Sequence, residues 1–337
     1  MTPQTTTPQT TTPQTMALQT MAPQTMAPHG MTARDWAVLV LTATLFGSSF
    51  FFIKIAIDTI PAATLAAGRA ALAVPVAWAF LRMTGGRLPP LGPDWIPLIV
   101  LGILTAAIPY GAIAWGQRHI DSSLAGMLFG MVPVFSVALA PLFLRDETMT
   151  AGRLTGAALG LGGVVLLLGP QTLAGLGDQV IGAAITLGAA LSYALRGIYA
   201  RRHRRIAPAV MATGQLLTAA LILLPLSLTL DAPWTLAPPP AAALGAVAAV
   251  AVLSTALPAL LMFWLIGRVG ATNGALLAFF MPVVAVVLGV VLLGERLPWT
   301  AVAGLGLILI AAAAITGRLR WPAKATAKYH PQPGEMR

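Results

Sequence analysis

The chain has 337 residues, of which 57% are hydrophobic and 9% charged, with a formal net charge of +10 and no cysteine. Soluble domains carry roughly 25% charged residues, so this composition excludes an ordinary water-facing surface, and the missing cysteine excludes disulfides and thiolate metal sites. A nucleic-acid partner would also fit the charge, but in so apolar a chain the arginines read as loop charges that set orientation in a lipid bilayer, and no nucleic acid is expected.

Residues 1–34 form a low-complexity tail built on repeated PQT units. It lacks the basic stretch and apolar core of a secretory signal. It has too little apolar surface to offset its chain entropy, so disorder is expected. Met16, Met21, Met26 and Met31 each offer an alternative translation start.

From Asp35 onward the chain reads as ten apolar spans: 36–57, 62–81, 95–115, 122–144, 151–169, 180–200, 209–230, 241–266, 271–293 and 299–317. Runs near 20 residues match a hydrocarbon core about 30 Å thick at 1.5 Å per helical residue. Residues 318–337 are a basic tail. With the N-terminus inside, 15 basic residues fall on cytoplasmic segments and three (Lys54, Arg118, Arg296) on outer ones, which predicts cytoplasmic termini. Arg69 and Arg196 complete the count, within spans.

The chain also repeats itself. Pro109 and Pro258, Trp115 and Trp264, and Pro133 and Pro282 are each 149 residues apart, and 122–169 parallels 272–317. The expectation is an all-α membrane protein of ten transmembrane helices in two five-helix repeats, 35–170 and 171–317. An odd number of spans per repeat inverts the second repeat in the bilayer, and substrate sites in such folds lie near the midplane between the halves.

Several residues carry a resemblance to a known family: Gly47-Ser48-Ser49-Phe50 followed by Lys54, then Pro61 and Arg69, Pro133 with the Arg145-Asp146-Glu147 corner, and Pro282 with Leu293-Gly294-Glu295-Arg296-Leu297. Over residues 36 to 317 the chain resembles the EamA-type group of the drug/metabolite transporter superfamily. That resemblance implies a ten-helix exporter or facilitator of small metabolites in the cell inner membrane, with a central cavity between the halves and no cofactor.

Arg69 lies eight residues past Pro61, roughly 12 Å along a helix. A cation so deep costs about 2.5–3.5 kcal/mol and normally faces a cavity or a partner. Arg69, and with it Lys54, reads as a holder of an anionic substrate group. The alternative has Arg69 bonded to helix-end carbonyls and Lys54 reaching outward to pair with Asp58. The inverted counterpart of Arg69 falls within one residue of Gln215. Pro109 and Pro258 remove helix hydrogen bonds and would free the carbonyls of Thr105 and Ser254. Beside them Tyr110, Trp115, Thr255 and Trp264 could line a cavity, with Tyr193 as a further candidate; packing kinks are the plainer reading. Trp36, Trp95 and Trp299 read as interface anchors. Gly126/Gly130 and Gly152/Gly156/Gly160 read as close helix packing within a monomer.

All ten acidic residues and all four histidines fall in loops or at span ends. No membrane-depth carboxylate stands where the small multidrug-resistance relatives, by the same resemblance, keep a proton-exchanging glutamate. A lipophilic cation would be repelled by Arg69. A neutral, zwitterionic or carboxylate-bearing solute, such as an amino acid, fits better. The alternatives are a multidrug efflux pump of the same superfamily or an intramembrane enzyme, for which no metal ligands, HExxH or phosphate loop appear. A channel fits poorly, because no ring of polar residues marks a pore.

Overall fold

The computed structural model describes residues 31–144, 150–175, 177–203 and 205–315. The low-complexity tract 1–30, the Arg145-Asp146-Glu147 corner and the basic tail lie outside them. The described chain is helical through its spans: α1 (Ala33–Ile57), α2 (Ala62–Met83), α3 (Trp95–Gly116), α4 (Ser122–Phe143), α5 (Ala151–Gly175, broken at Gly169 with φ 72°), α6 (Asp178–Arg202), α7 (Pro208–Leu230), α8 (Ala241–Gly270), α9 (Leu277–Leu293) and α10 (Trp299–Ile315). Among the described residues eight helices are long and apolar enough to cross a membrane; α9 and α10, at 17 residues each, are shorter. This is an all-α, multi-pass membrane fold.

Local chemistry sets the boundaries. Thr32 and Asp35 form a reciprocal capping box at the start of α1, so the helix begins inside the stretch expected to be a tail. Pro208 occupies the first turn of α7, where its missing N–H costs nothing. Gly294, at φ 68°, ends α9 in the left-handed conformation and lets Glu295 N–H return to Gly289 O at 3.1 Å. The expected span from 271 differs at its start: α8 breaks at Gly270 (φ 78°), a short helical stretch follows to Gly274, and α9 starts at Leu277.

The prolines of α3 and α8 do more than kink. Each is preceded by a π turn, Ile103–Ala107 and Val252–Ala256, at the same 149-residue separation. A proline ring has no N–H to donate, and the wider turn absorbs the missing bond. Hydroxyls then serve carbonyls nearby, though not those of Thr105 and Ser254 that were expected to be free. Ser192 Oγ donates to Leu104 O (2.9 Å) and Thr255 Oγ1 to Val250 O (2.7 Å).

The principal helix pairs cross between the two halves of the sequence. α1 packs on α8 and α9, α2 on α7 and α8, α3 on α6 and α7, α4 on α6 and α9, and α5 on α10. Exchanging α1–α5 with α6–α10 maps this set onto itself. α2 and α7 run antiparallel: Asp231 at the end of α7 meets Thr64 at the start of α2, and Ala207–Val210 meet Leu81 at the other end. Small residues permit the approach. A Cβ on Gly47 would sit 2.8 Å from Met281 O, and one on Gly163 2.9 Å from Gly304 O. Gly126 and Gly130 face Ala285 and Pro282, Gly156 faces Ile315 and Gly160 faces Val134, whereas Gly152 meets nothing within 4 Å. Outside, Leu72, Trp78, Leu221, Val287 and Val302 are exposed, an apolar belt suited to lipid.

Candidate functional site

Arg69 sits on the face of α2 shared by the buried Ala66, Ala70 and Ala73, and is only 6% exposed. Its Nε donates to Thr255 Oγ1 at 2.9 Å, and its guanidinium carbon lies 3.8 Å from the centre of the Tyr110 ring. Thr255 spends its own proton on Val250 O, which leaves its lone pair to accept from Arg69. Among the described residues the terminal guanidinium nitrogens have no hydrogen-bond partner. Neither helix-end carbonyls nor a carboxylate satisfies this cation. A desolvated arginine over a tyrosine face gains about 2 kcal/mol, short of what full pairing would supply.

Gln215 on α7 occupies the matching place. Its Oε1 accepts from Thr105 Oγ1 at 3.2 Å. Arg69 thus ties α2 to α8, and Gln215 ties α7 to α3. One apolar cluster, including Ala66, Ala70, Ala106, Tyr110, Leu216, Ala219 and Ala256, holds this layer together. Buried Pro109 and Pro258 stand in it beside their π turns. A further buried contact, Ser48 Oγ to Ser254 Oγ at 2.9 Å, joins α1 to α8.

Other expected residues lie elsewhere. Lys54 donates to the backbone carbonyls of Gln117 (3.0 Å) and Ile120 (3.3 Å) at the end of α3, not to Asp58. Trp115 stacks on His119, with ring centres 4.3 Å apart, at that same end. Trp264 is 38% exposed at the opposite end, between Arg34 and Arg268 at 5.4 and 5.5 Å. The structure therefore gathers Arg69, Tyr110, Gln215, Pro109 and Pro258, and leaves Lys54, Trp115 and Trp264 outside that group.

One residue was missed. Arg196 on α6 lies four residues after buried Ser192 and seven after buried Ala189, hence on the flank of the buried side, and is itself half-buried. Its guanidinium carbon is 5.6 Å from the Tyr193 ring, whose edge meets Phe129 at 5.0 Å. Its Nε is buried with no hydrogen-bond partner among the described residues. Ser192, one turn earlier on α6, donates to Leu104 O on α3, the helix that carries Tyr110. The signal was available: a second cation within a span and no acid to balance it. It had entered only the count of charges.

Two clefts, of about 370 and 310 Å³, open at the end of the bundle where α2 finishes and α7 begins. The first is lined by Arg87, Asp94 and His203 among others, and the second by Phe80, Leu81 and Val210. The Arg69 layer lines neither. No group of three or more potential metal ligands occurs among the described residues.

Two stretches of the sequence, 36–169 and 180–317, match the family model described as the EamA-like transporter family. The chain belongs to that family. As an EamA-like protein of the drug/metabolite transporter superfamily it is a small-molecule membrane transporter, not an enzyme, with multiple passes through the inner (cytoplasmic) membrane. It is 28% identical over 283 residues to the inner membrane transporter YedA of Escherichia coli, spanning 83% of this chain and 90% of that one. It is 29% identical over 273 residues to a probable terminal-alkyne amino-acid exporter of Streptantibioticus cattleyicolor, spanning 80% and 88%. A solved crystal structure shares the fold, with a TM-score of 0.60 and 21% identity across 84% of this chain and 96% of that one.

Proposed function

We propose that this EamA-like transporter is a ten-span carrier, monomeric and built of inverted halves 35–170 and 171–317, that exports a small carboxylate-bearing or zwitterionic metabolite by alternating access. The antiparallel pairing of α2 with α7 and the contacts that survive exchange of the halves support the inversion. The distribution of basic loop residues supports cytoplasmic termini, which places the Arg268 end inside and the Glu295 end outside. The name of the Streptantibioticus cattleyicolor relative, a probable terminal-alkyne amino-acid exporter, agrees in both solute class and direction.

One observation carries the solute class: Arg69 is buried at the meeting of the halves and, among the described residues, only its Nε is hydrogen-bonded. Its free edge presents a planar pair of donors that matches a carboxylate. Tyr110 supplies the ring under the guanidinium, and Gln215, Tyr193 and the breaks at Pro109 and Pro258 complete the site. Lys54, Trp115 and Trp264 act at the ends, as a helix tie and as interface residues.

The test is exchange by purified protein in liposomes preloaded with an amino-acid mixture. Saturable counterflow is expected in the wild type. Arg69→Ala should reduce it at least about tenfold, the worth of one charge-assisted bond, while reaching the membrane in normal amounts. Robust proton-coupled export of a quaternary ammonium dye would overturn the assignment.

A further inference from the structure

Arg69 accounts for one anionic group, yet a second cation within a span is also incompletely hydrogen-bonded. Arg196 stands on the flank of α6 beside buried Ser192 and Ala189, keeps a buried Nε that is unpartnered among the described residues, and rests near a tyrosine ring as Arg69 does. The two arginines come from opposite halves, and both α2 and α6 pack on α3: Arg69 lies over the Tyr110 ring of that helix, and Ser192, four residues before Arg196, donates to its Leu104 O at 2.9 Å. The acidic residues among those described sit at helix ends or in connecting loops: Asp35, Asp58, Asp94, Asp121, Asp178, Asp231 and Glu295. None is recorded as a partner of either guanidinium. Asp35 pairs with Arg268, Glu295 bonds Ser122 and Ser123, and Asp231 bonds Thr64. Two uncompensated cations at membrane depth are costly, and a buried donor left empty calls for a partner that arrives from outside the chain.

We propose that Arg69 and Arg196 form a two-point clamp and that the transported solute carries two separated anionic groups, as small dicarboxylates and acidic amino acids do. This rests on the carrier reading above and narrows its solute class. One carboxylate takes the free edge of Arg69, and the second takes Arg196, including the empty Nε. The ring of Tyr110 covers one face of the Arg69 guanidinium and that of Tyr193 flanks Arg196, which leaves in-plane N–H groups for forked bonding. Net charge then balances at the site, because two guanidiniums meet two carboxylates and no carboxylate among the described residues bonds either arginine. A clamp drawing one arm from each half is also sensitive to their relative motion, as a carrier requires.

The experiment uses full-length protein in liposomes and four probes. L-glutamate and succinate carry two carboxylates; L-alanine and lactate carry one. Wild type is expected to exchange the first pair at lower apparent KM than the second. Arg196→Gln should raise KM for glutamate and succinate at least about tenfold and leave alanine and lactate within about twofold. Arg196→Lys, which keeps the charge, should retain most of the preference. Equal loss for both pairs in Arg196→Gln, with an unchanged elution profile, would assign the residue a packing role and overturn the clamp. Wild-type exchange of alanine or lactate without either dicarboxylate would defeat the clamp and leave the carrier reading standing. Exchange of none of the four would count against both.

Discussion

At the Glu295 end, carboxylates from one half reach helix N-termini in the other; at the Arg268 end, the described ion pair is half in solvent and two clefts stand open. Glu295 Oε1 accepts from Ser122 N (2.8 Å) and Oγ (2.6 Å), and Oε2 from Ser123 N (2.9 Å) and its hydroxyl. It caps α4, whose own flanking Asp121 makes no side-chain cap. Asp231 does the same for α2, accepting from Thr64 N at 2.6 Å and Oγ1 at 2.8 Å. A carboxylate at a helix N-terminus satisfies orphan N–H groups and meets the positive end of the helix dipole. These are strong ties across the seam between halves, and Lys54 adds one within the first half, from α1 to the carbonyls at the end of α3. The bundle is fastened at one end and looser at the other. A carrier that opens alternately to each side must break the fastened end to release its solute there.

Removing Glu295 should have the largest effect. Glu295→Ala leaves four donors without their acceptor and is expected to cost about 2 kcal/mol, read as a lower temperature of half-survival in detergent. Because the chain has no cysteine, a single Ile60→Cys, at a site 5% exposed, reports opening uniquely. Adding Glu295→Gln should speed its labelling from outside several-fold; an unchanged rate would mean that the tie does not hold the end shut. Acid offers a gentler version. Burial raises the Glu295 pKa, but the Ser122 and Ser123 hydroxyls and N–H groups outweigh it and hold it below the usual glutamate range. A depressed folded value means the tie is fully present above the unfolded value and is lost as pH falls through the folded one. Relative to the same thiol in unfolded protein, which corrects for the thiolate fraction, labelling should therefore stay flat at neutral pH and rise only in acid below the range of ordinary glutamates.

These ties mark where the sequence stopped being informative. Hydropathy placed the spans within a few residues, since a run of 20 apolar residues needs no partner to be recognised. The paired prolines located the breaks in α3 and α8, yet not their π form, because the width of the turn depends on what Ser192 and Thr255 can reach. Arg69 and Gln215 stood out as polar residues in apolar runs. Glu295 belonged to a visible corner, but its acceptor role joins residues 173 apart, which no local pattern encodes. Lys54 and Trp264 misled for a related reason: a residue near a span end has equal claims on the interior, the loop carbonyls and the interface.

Asp231→Asn comes second. The amide keeps one acceptor oxygen for Thr64 and loses the charge that favours the α2 N-terminus, at a cost of about 1 kcal/mol. Ser227 Oγ still meets Thr64 Oγ1 at 2.9 Å, which moderates the loss. The half-survival temperature should fall between those of Glu295→Ala and wild type. An effect equal to that of Glu295→Ala would place the main tie on α2 instead.

Arg268→Ala should matter least, although its bond to Asp35 is short, at 2.6 Å. Arg268 is 48% exposed, and exposed pairs contribute about 0–1 kcal/mol because water and salt screen them. Asp35 is also not orphaned when Arg268 leaves: Thr32 N at 3.0 Å and Thr32 Oγ1 at 2.7 Å both donate to its Oδ2. The carboxylate is held by the start of its own helix rather than by the other half. Hence Asp35→Ala, which breaks the α1 capping box, should cost more than Arg268→Ala, by about 1 kcal/mol. If the order reversed, the Arg268 end would be fastened across the seam as firmly as the Glu295 end, and the asymmetry between the two ends would vanish.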